Sequence, residues 1–84
     1  LKDNVEQVKA GLITQLQGVE FSWKDSGVKA SGVVAQDVEK VPELQHLVHQ
    51  IDKDGHKGVS YIGMIPYLLE EIKSLKAEIE ELKG

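Results

Sequence analysis

The sequence contains no cysteine, which excludes a disulfide framework, a thiolate metal site and a cysteine nucleophile. It has no excess of basic charge. Ten Lys and Arg residues stand against fourteen Asp and Glu, for a net charge of −4, and the two signs are interspersed. Nucleic acid is therefore not an expected partner, since phosphate binding needs a clustered basic surface. Long apolar runs are also missing, so no membrane span is predicted. The eight glycines are scattered at element boundaries and form no phosphate-binding loop. With 84 residues the chain holds one domain and a small interior, which by itself supplies only about 3–5 kcal/mol of net stability. Disulfides being absent, association with further chains is the stabilising device still open. The chain opens in Leu1-Lys2-Asp3-Asn4 rather than at Met, an opening expected of a fragment or processed C-terminal piece.

The spacing of Val5, Val8, Leu12, Ile13 and Leu16 predicts a helix over 3–17, with Asp3 or Asn4 as N-cap and Gly18 ending it. Val19 to Lys24 alternates apolar and polar residues as a half-buried strand does. Asp25-Ser26-Gly27 reads as a turn, and Gly32 to Ala35 as a second strand. Gln36 to Val41 is expected to make one or two helical turns, stopped by Pro42. The stretch from His46 to Ile51 is ambiguous, Asp52-Lys53-Asp54-Gly55 is a turn, and Val59 to Ile62 fits a short strand. From Met64 the pattern is helical to the end, with Pro66 placed in the first turn. The expected fold is α+β. A body over 1–63 carries an N-terminal helix, short β-hairpin strands and protruding loops, and a long C-terminal helix over 64–84 completes the single domain.

That last helix carries the clearest signal. Ile65, Leu68, Ile72, Leu75, Ile79 and Leu82 alternate spacings of three and four, placing Ile at every a and Leu at every d of a heptad repeat. Glu71 and Glu78 then fall at g, and Lys76 and Lys83 at e. In a parallel, in-register assembly Glu71 meets Lys76 of a neighbour and Glu78 meets Lys83, whereas antiparallel pairing sets like charges together. Over the last four turns only Ala77 is apolar outside the seam, a stripe narrower than a globular docking face. Self-association through a parallel coiled coil is therefore expected, and the Ile/Leu pattern alone favours two strands.

Motifs that might carry chemistry are weak. His46, His49 and His56 lack the carboxylate of a metalloprotease arrangement, so no metal site is expected. Asp52 to Gly55 echoes a calcium loop, but its twelfth position is Gly63 rather than a bidentate Glu. Ser26 and Lys29 have the Ser-x-x-Lys spacing, but Gly27 and the surrounding turn residues oppose the helix that the geometry requires. Phe21 and Trp23 share one side of a predicted strand, where a core role is expected. No cofactor is expected.

Three landmarks resemble one family: Leu1 to Val5 leading into a helix; Gly18 to Lys24 followed by Gly32-Val33-Val34-Ala35-Gln36-Asp37-Val38-Glu39-Lys40-Val41-Pro42-Glu43-Leu44; and Val59-Ser60-Tyr61 before a coiled-coil terminus. Together they resemble the intramolecular chaperone domain at the C-terminus of bacteriophage tail spikes, tail fibres and neck appendages, which is also a self-cleaving peptidase. The resemblance implies a homotrimer, in place of the dimer that the heptads favour. It also implies a fibrous parent chain as folding partner, assembly in the cytoplasm of the infected bacterium, and release by a serine–lysine dyad. Matched to the family motif, Lys2 is the dyad lysine and the serine falls before Leu1, so the 84 residues are expected to be inactive alone. A trimerisation module that stays uncleaved is an alternative, as is the similar self-cleaving domain of a eukaryotic membrane-bound transcription-factor precursor. The hairpin around 25–31 and the segment 46–57 are expected to project toward the fibre.

Overall fold

In the computed structural model, which describes residues 2–83, the α+β class is realised by two small antiparallel hairpins and one long helix. Strand β1 (Gly18–Ser22) pairs with β2 (Lys29–Val33) in a register that sets Gly18 opposite Val33 and Ser22 opposite Lys29. The connection closes through Trp23 N–H to Val28 O at 3.0 Å and Gly27 N–H to Trp23 O at 2.8 Å. Gly27 adopts φ +71° there, a left-handed conformation that glycine enters without Cβ strain. Ser26 Oγ accepts the Val28 N–H, so Ser26 and Lys29 belong to a hairpin and share no helical turn.

Helix α1 (Ala35–Glu39) follows directly and runs into a 3-10 segment at Pro42–Leu47. Ala35, Val38, Val41, Leu44 and Leu47 are spaced by three throughout, and all five are buried. A 3-10 helix turns every three residues, so this spacing keeps one face apolar where a continued α-helix would rotate it away. Pro42 therefore opens the 3-10 segment, where its missing N–H costs nothing, rather than ending the helical path. The ambiguous stretch resolves into the end of that segment and strand β3 (Val48–Gln50), which pairs with β4 (Lys57–Val59).

The N-terminal helix expected over 3–17 does not form. Only Ile13–Gln15 makes a single 3-10 turn, and Asn4 and Gly11 take φ values of +53° and +88°, which a right-handed helix excludes. The apolar spacing was nevertheless a docking pattern, since Val8, Leu12, Ile13 and Leu16 pack half-buried on the core while Val5 stays exposed. An irregular chain reaches those contacts, fastened to α2 by the Gly11 N–H on Glu71 and by the Gln7 side chain on Glu70.

Helix α2 spans Tyr61–Lys83, starting three residues before the expected Met64, with β4 in place of the strand read over 59–62. Pro66 thus sits inside the helix rather than in its first turn, removing the hydrogen bond to the Ile62 carbonyl. Met64 and Tyr67 are the buried residues of α2 and join Val38, Val41, Leu44 and Leu47 in the core. Gly63, Glu70, Glu71 and Ser74 extend the same face half-buried, and from Leu75 onward every described residue of the helix is exposed. The second half of α2 therefore packs against none of the other described elements. None of the described helices is long and apolar enough to cross a membrane.

Candidate functional site

The residues predicted at a and d lie on the side of α2 turned away from the core. Ile65, Leu68, Ile72, Leu75, Ile79 and Leu82 are each 45% to 89% exposed. The helix thus has two apolar faces. Met64 and Tyr67 belong to the face that fastens α2 to the body, where Tyr67 Oη also donates to the Glu43 carbonyl at 3.3 Å. The heptad seam is the other face, and nothing among the described residues covers it. Aliphatic side chains exposed together in one stripe have the form of an interaction surface rather than of scattered solvent contact.

Two further residues belong to this stripe. Ile62 and Leu69, seven apart at position e, are 82% and 54% exposed. Reading the helix from Met64 hid Ile62 and left Leu69 isolated; a start at Tyr61 shows both as one repeat. The stripe is therefore wider in its first half, near the body, and narrows to a and d beyond Leu75.

The charged flank is asymmetric. Among the described residues Lys76, Glu78 and Lys83 make no ion pair or side-chain hydrogen bond, whereas Glu71 is half-buried and accepts the Gly11 N–H on Oε1 at 2.8 Å. Its neighbour Glu70 accepts from Gln7 Nε2 at 2.7 Å and from Lys73 Nζ at 3.2 Å. The Gln7 hydrogen bond, aided by Lys73, holds the Glu70 carboxyl below its ordinary pKa against the opposing effect of desolvation. Consecutive carboxylates of α2 thus tie down the segment that begins with Lys2. Lys2 itself is exposed, and the helix expected to present it is replaced by irregular chain.

The remaining candidates divide clearly. His46, on the 3-10 segment, stands against Tyr67 with ring centroids 6.2 Å apart, while His49 lies on β3 and His56 in the β3–β4 turn. The three imidazoles do not gather. Asp52, Asp54 and His56 do come together, exposed, with ligand-type atoms within 4.8 Å. Asp52 Oδ1 accepts the N–H groups of Asp54 and His56, and Oδ2 meets His56 Nδ1 at 2.6 Å. Those bonds close the turn, and the His56 contact is the largest influence lowering the Asp52 pKa. Phe21 and Trp23 do not enter the core. They meet edge to face at 5.1 Å and, with Ile51, His49 and Tyr61, line an open cleft of about 350 Å³ between the two hairpins. A two-stranded hairpin has no second layer above that face, so its aromatics stay half in solvent.

One glycine of the most specific sequence block has a visible reason. Tyr61 Oη receives the Val33 N–H at 3.2 Å, and a Cβ on Gly32 would collide with that hydroxyl. Gly32 lets the first residue of α2 anchor the β1–β2 hairpin. On the far side, Lys57 Nζ bonds both Glu39 oxygens at 2.8 Å, joining β4 to α1.

No curated protein and no solved structure matches the chain significantly. A family model described as chaperone of endosialidase, a peptidase family, matches residues 1–49. The match covers more than half of the chain: the N-terminal segment, the first hairpin, α1, the 3-10 segment and the start of β3. It stops before α2, so the seam stands on geometry alone. On that match the chain belongs to the chaperone of endosialidase family and is an intramolecular chaperone domain.

Proposed function

We propose that this domain trimerises through α2, brings three copies of a bacteriophage tail fibre or spike into register for folding, and is then released by serine–lysine autoproteolysis. The carrying observation is the seam of α2, predicted to face a neighbour and left uncovered by the described residues. Parallel alignment is favoured by Lys76, Glu78 and Lys83 beside it, which are unpaired among the described residues. Three strands suit the apolar flank at Ile62 and Leu69, because a helix with two neighbours buries a wider arc than a helix with one. Such an assembly acts as a nucleus, turning a three-body encounter of fibre strands into a local one by raising their effective concentration. Virion assembly in the cytoplasm of the infected host is the setting of this reading, and the fibrous parent is the folding partner.

In the cleavage step Lys2 is the base for a serine preceding Leu1, and its amine must be neutral to accept the hydroxyl proton. The exposure of Lys2 in the single chain favours a second reading, in which the module trimerises without being cut. The solution mass over a wide concentration range tests the shared part: three times the chain mass supports it, and a monomer at all concentrations rejects it. Expression with a preceding fibre segment, with and without Lys2→Ala, separates the two readings. Cleavage abolished by Lys2→Ala supports the dyad, and a parent that stays whole supports the uncut module.

A further inference from the structure

Glu71 occupies two positions at once. In the heptad it is a g residue beside the seam, and in the fold its Oε1 accepts the Gly11 N–H at 2.8 Å. Gly11 is a poor place for a weak tether. Residues 2–10 form no helical turn and Gly11 itself has φ +88°, so the amide has no carbonyl of a preceding turn to bond. The segment before it makes no backbone ladder and is fastened to α2 by that bond, by Gln7 to Glu70 at 2.7 Å and by the half-buried Val8 and Leu12. The second oxygen of Glu71 has no partner among the described residues. In a parallel in-register assembly the Lys76 ammonium of a neighbour arrives at this same carboxylate. An ammonium on one oxygen fixes the rotamer and immobilises the other oxygen over Gly11, so that two charge-assisted bonds share one side-chain entropy cost.

We infer that Glu71 is a positioning residue that couples association of α2 to ordering of the N-terminal segment carrying Lys2. The inference rests on the parallel seam proposed above. In a chain alone the Gly11 amide is held by a carboxylate whose second oxygen has no partner among the described residues, and in an assembled chain that carboxylate is locked from the next copy. The N-terminal segment is thereby held more firmly at Gly11 once neighbours are present, and the signal that they are present enters through a single side chain.

Amide hydrogen exchange at Gly11, followed from dilute to associated protein, tests the coupling. Exchange in the parent is expected to slow on the order of tenfold on association, the equilibrium equivalent of one added charged hydrogen bond. The exchanged pair Glu71→Lys with Lys76→Glu restores opposite charges across the seam but deprives Gly11 of its acceptor. It is expected to associate like the parent while Gly11 exchanges fast at every concentration. Glu71→Gln keeps an acceptor oxygen and is expected to give intermediate slowing. If the exchanged pair associates and Gly11 is still protected as in the parent, Glu71 is not the clamp. Failure of the exchanged pair to associate rejects the Glu71–Lys76 contact. A parent that associates with no change at Gly11 rejects the coupling and leaves the seam standing, and a parent that never associates removes both.

Discussion

Replacing Ile72 by Ala removes the central a residue of the seam without weakening the helix, since Ala is the best helix former. In the single chain 63% of the Ile72 surface is exposed. Complete burial of an aliphatic side chain stabilises by about 1.5–3 kcal/mol, so the portion still available for association is about 1.5 kcal/mol per chain. A trimer forfeits this three times, roughly 4–5 kcal/mol in all. The midpoint concentration of a monomer–trimer equilibrium scales as the square root of its constant, which moves the midpoint up by roughly 40-fold. Sedimentation equilibrium over three decades of concentration reads that shift directly. Glu81→Ala, on the outer face of the same helix, is the control and is expected to move the midpoint little. If the Ile72→Ala and parent curves superimpose, or if Glu81→Ala moves the curve as far, the seam is not the interface.

Three other outcomes follow from the packing and the charges. Leu44 is completely buried at the centre of the core, and Leu44→Ala is expected to cost about 2–5 kcal/mol; circular dichroism of the dilute chain should then show no cooperative melt. Gly32→Ala drives a methyl into the Tyr61 hydroxyl and is expected to lower the melting temperature. Adding Tyr61→Phe should restore part of the loss, and no restoration would mean that the hairpin is held elsewhere. The pKa values of Asp52 and Glu70 are lowered in the folded chain, chiefly by hydrogen bonds from His56 and Gln7. Their stabilising contributions are present above the ordinary carboxylate range and disappear as pH falls through the lower folded-state values. The side-chain carboxyl shifts of Asp52 and Glu70 should therefore titrate below the ordinary carboxylate range; a midpoint at or above that range for either would contradict these assignments.

The heptad stripe of α2 was legible from residues alone because a repeat of 3.5 needs no tertiary context. Its exposure in the folded chain is the direct consequence of having a second, separate docking face at Met64 and Tyr67. The hairpins were legible within a few residues, since Gly27 and the Asp52 to Gly55 turn punctuate the chain locally. The block from Gly32 to Leu44 carried the family, and its spacing of three through Ala35, Val38, Val41, Leu44 and Leu47 announces a 3-10 path that a search for α-periodicity passes over.

What the residues could not settle locally was the state of the first seventeen. Val8, Leu12, Ile13 and Leu16 are spaced for a helix and equally for docking on a core, and the preference is decided by where the backbone amides find acceptors. Some sixty positions further along, Glu71 supplies an acceptor for the Gly11 amide and Glu70 one for the Gln7 side chain, and these ties outcompete an isolated short helix, which is marginal in water. Phe21 and Trp23 show the same dependence. Alternation identifies their shared face, but only the assembled fold reveals that no layer lies above it. The sequence by itself determined periodicity, turns and family, because those are encoded between near neighbours. Tertiary structure decided which apolar faces are satisfied within the chain and which stay exposed, because burial depends on what stands opposite.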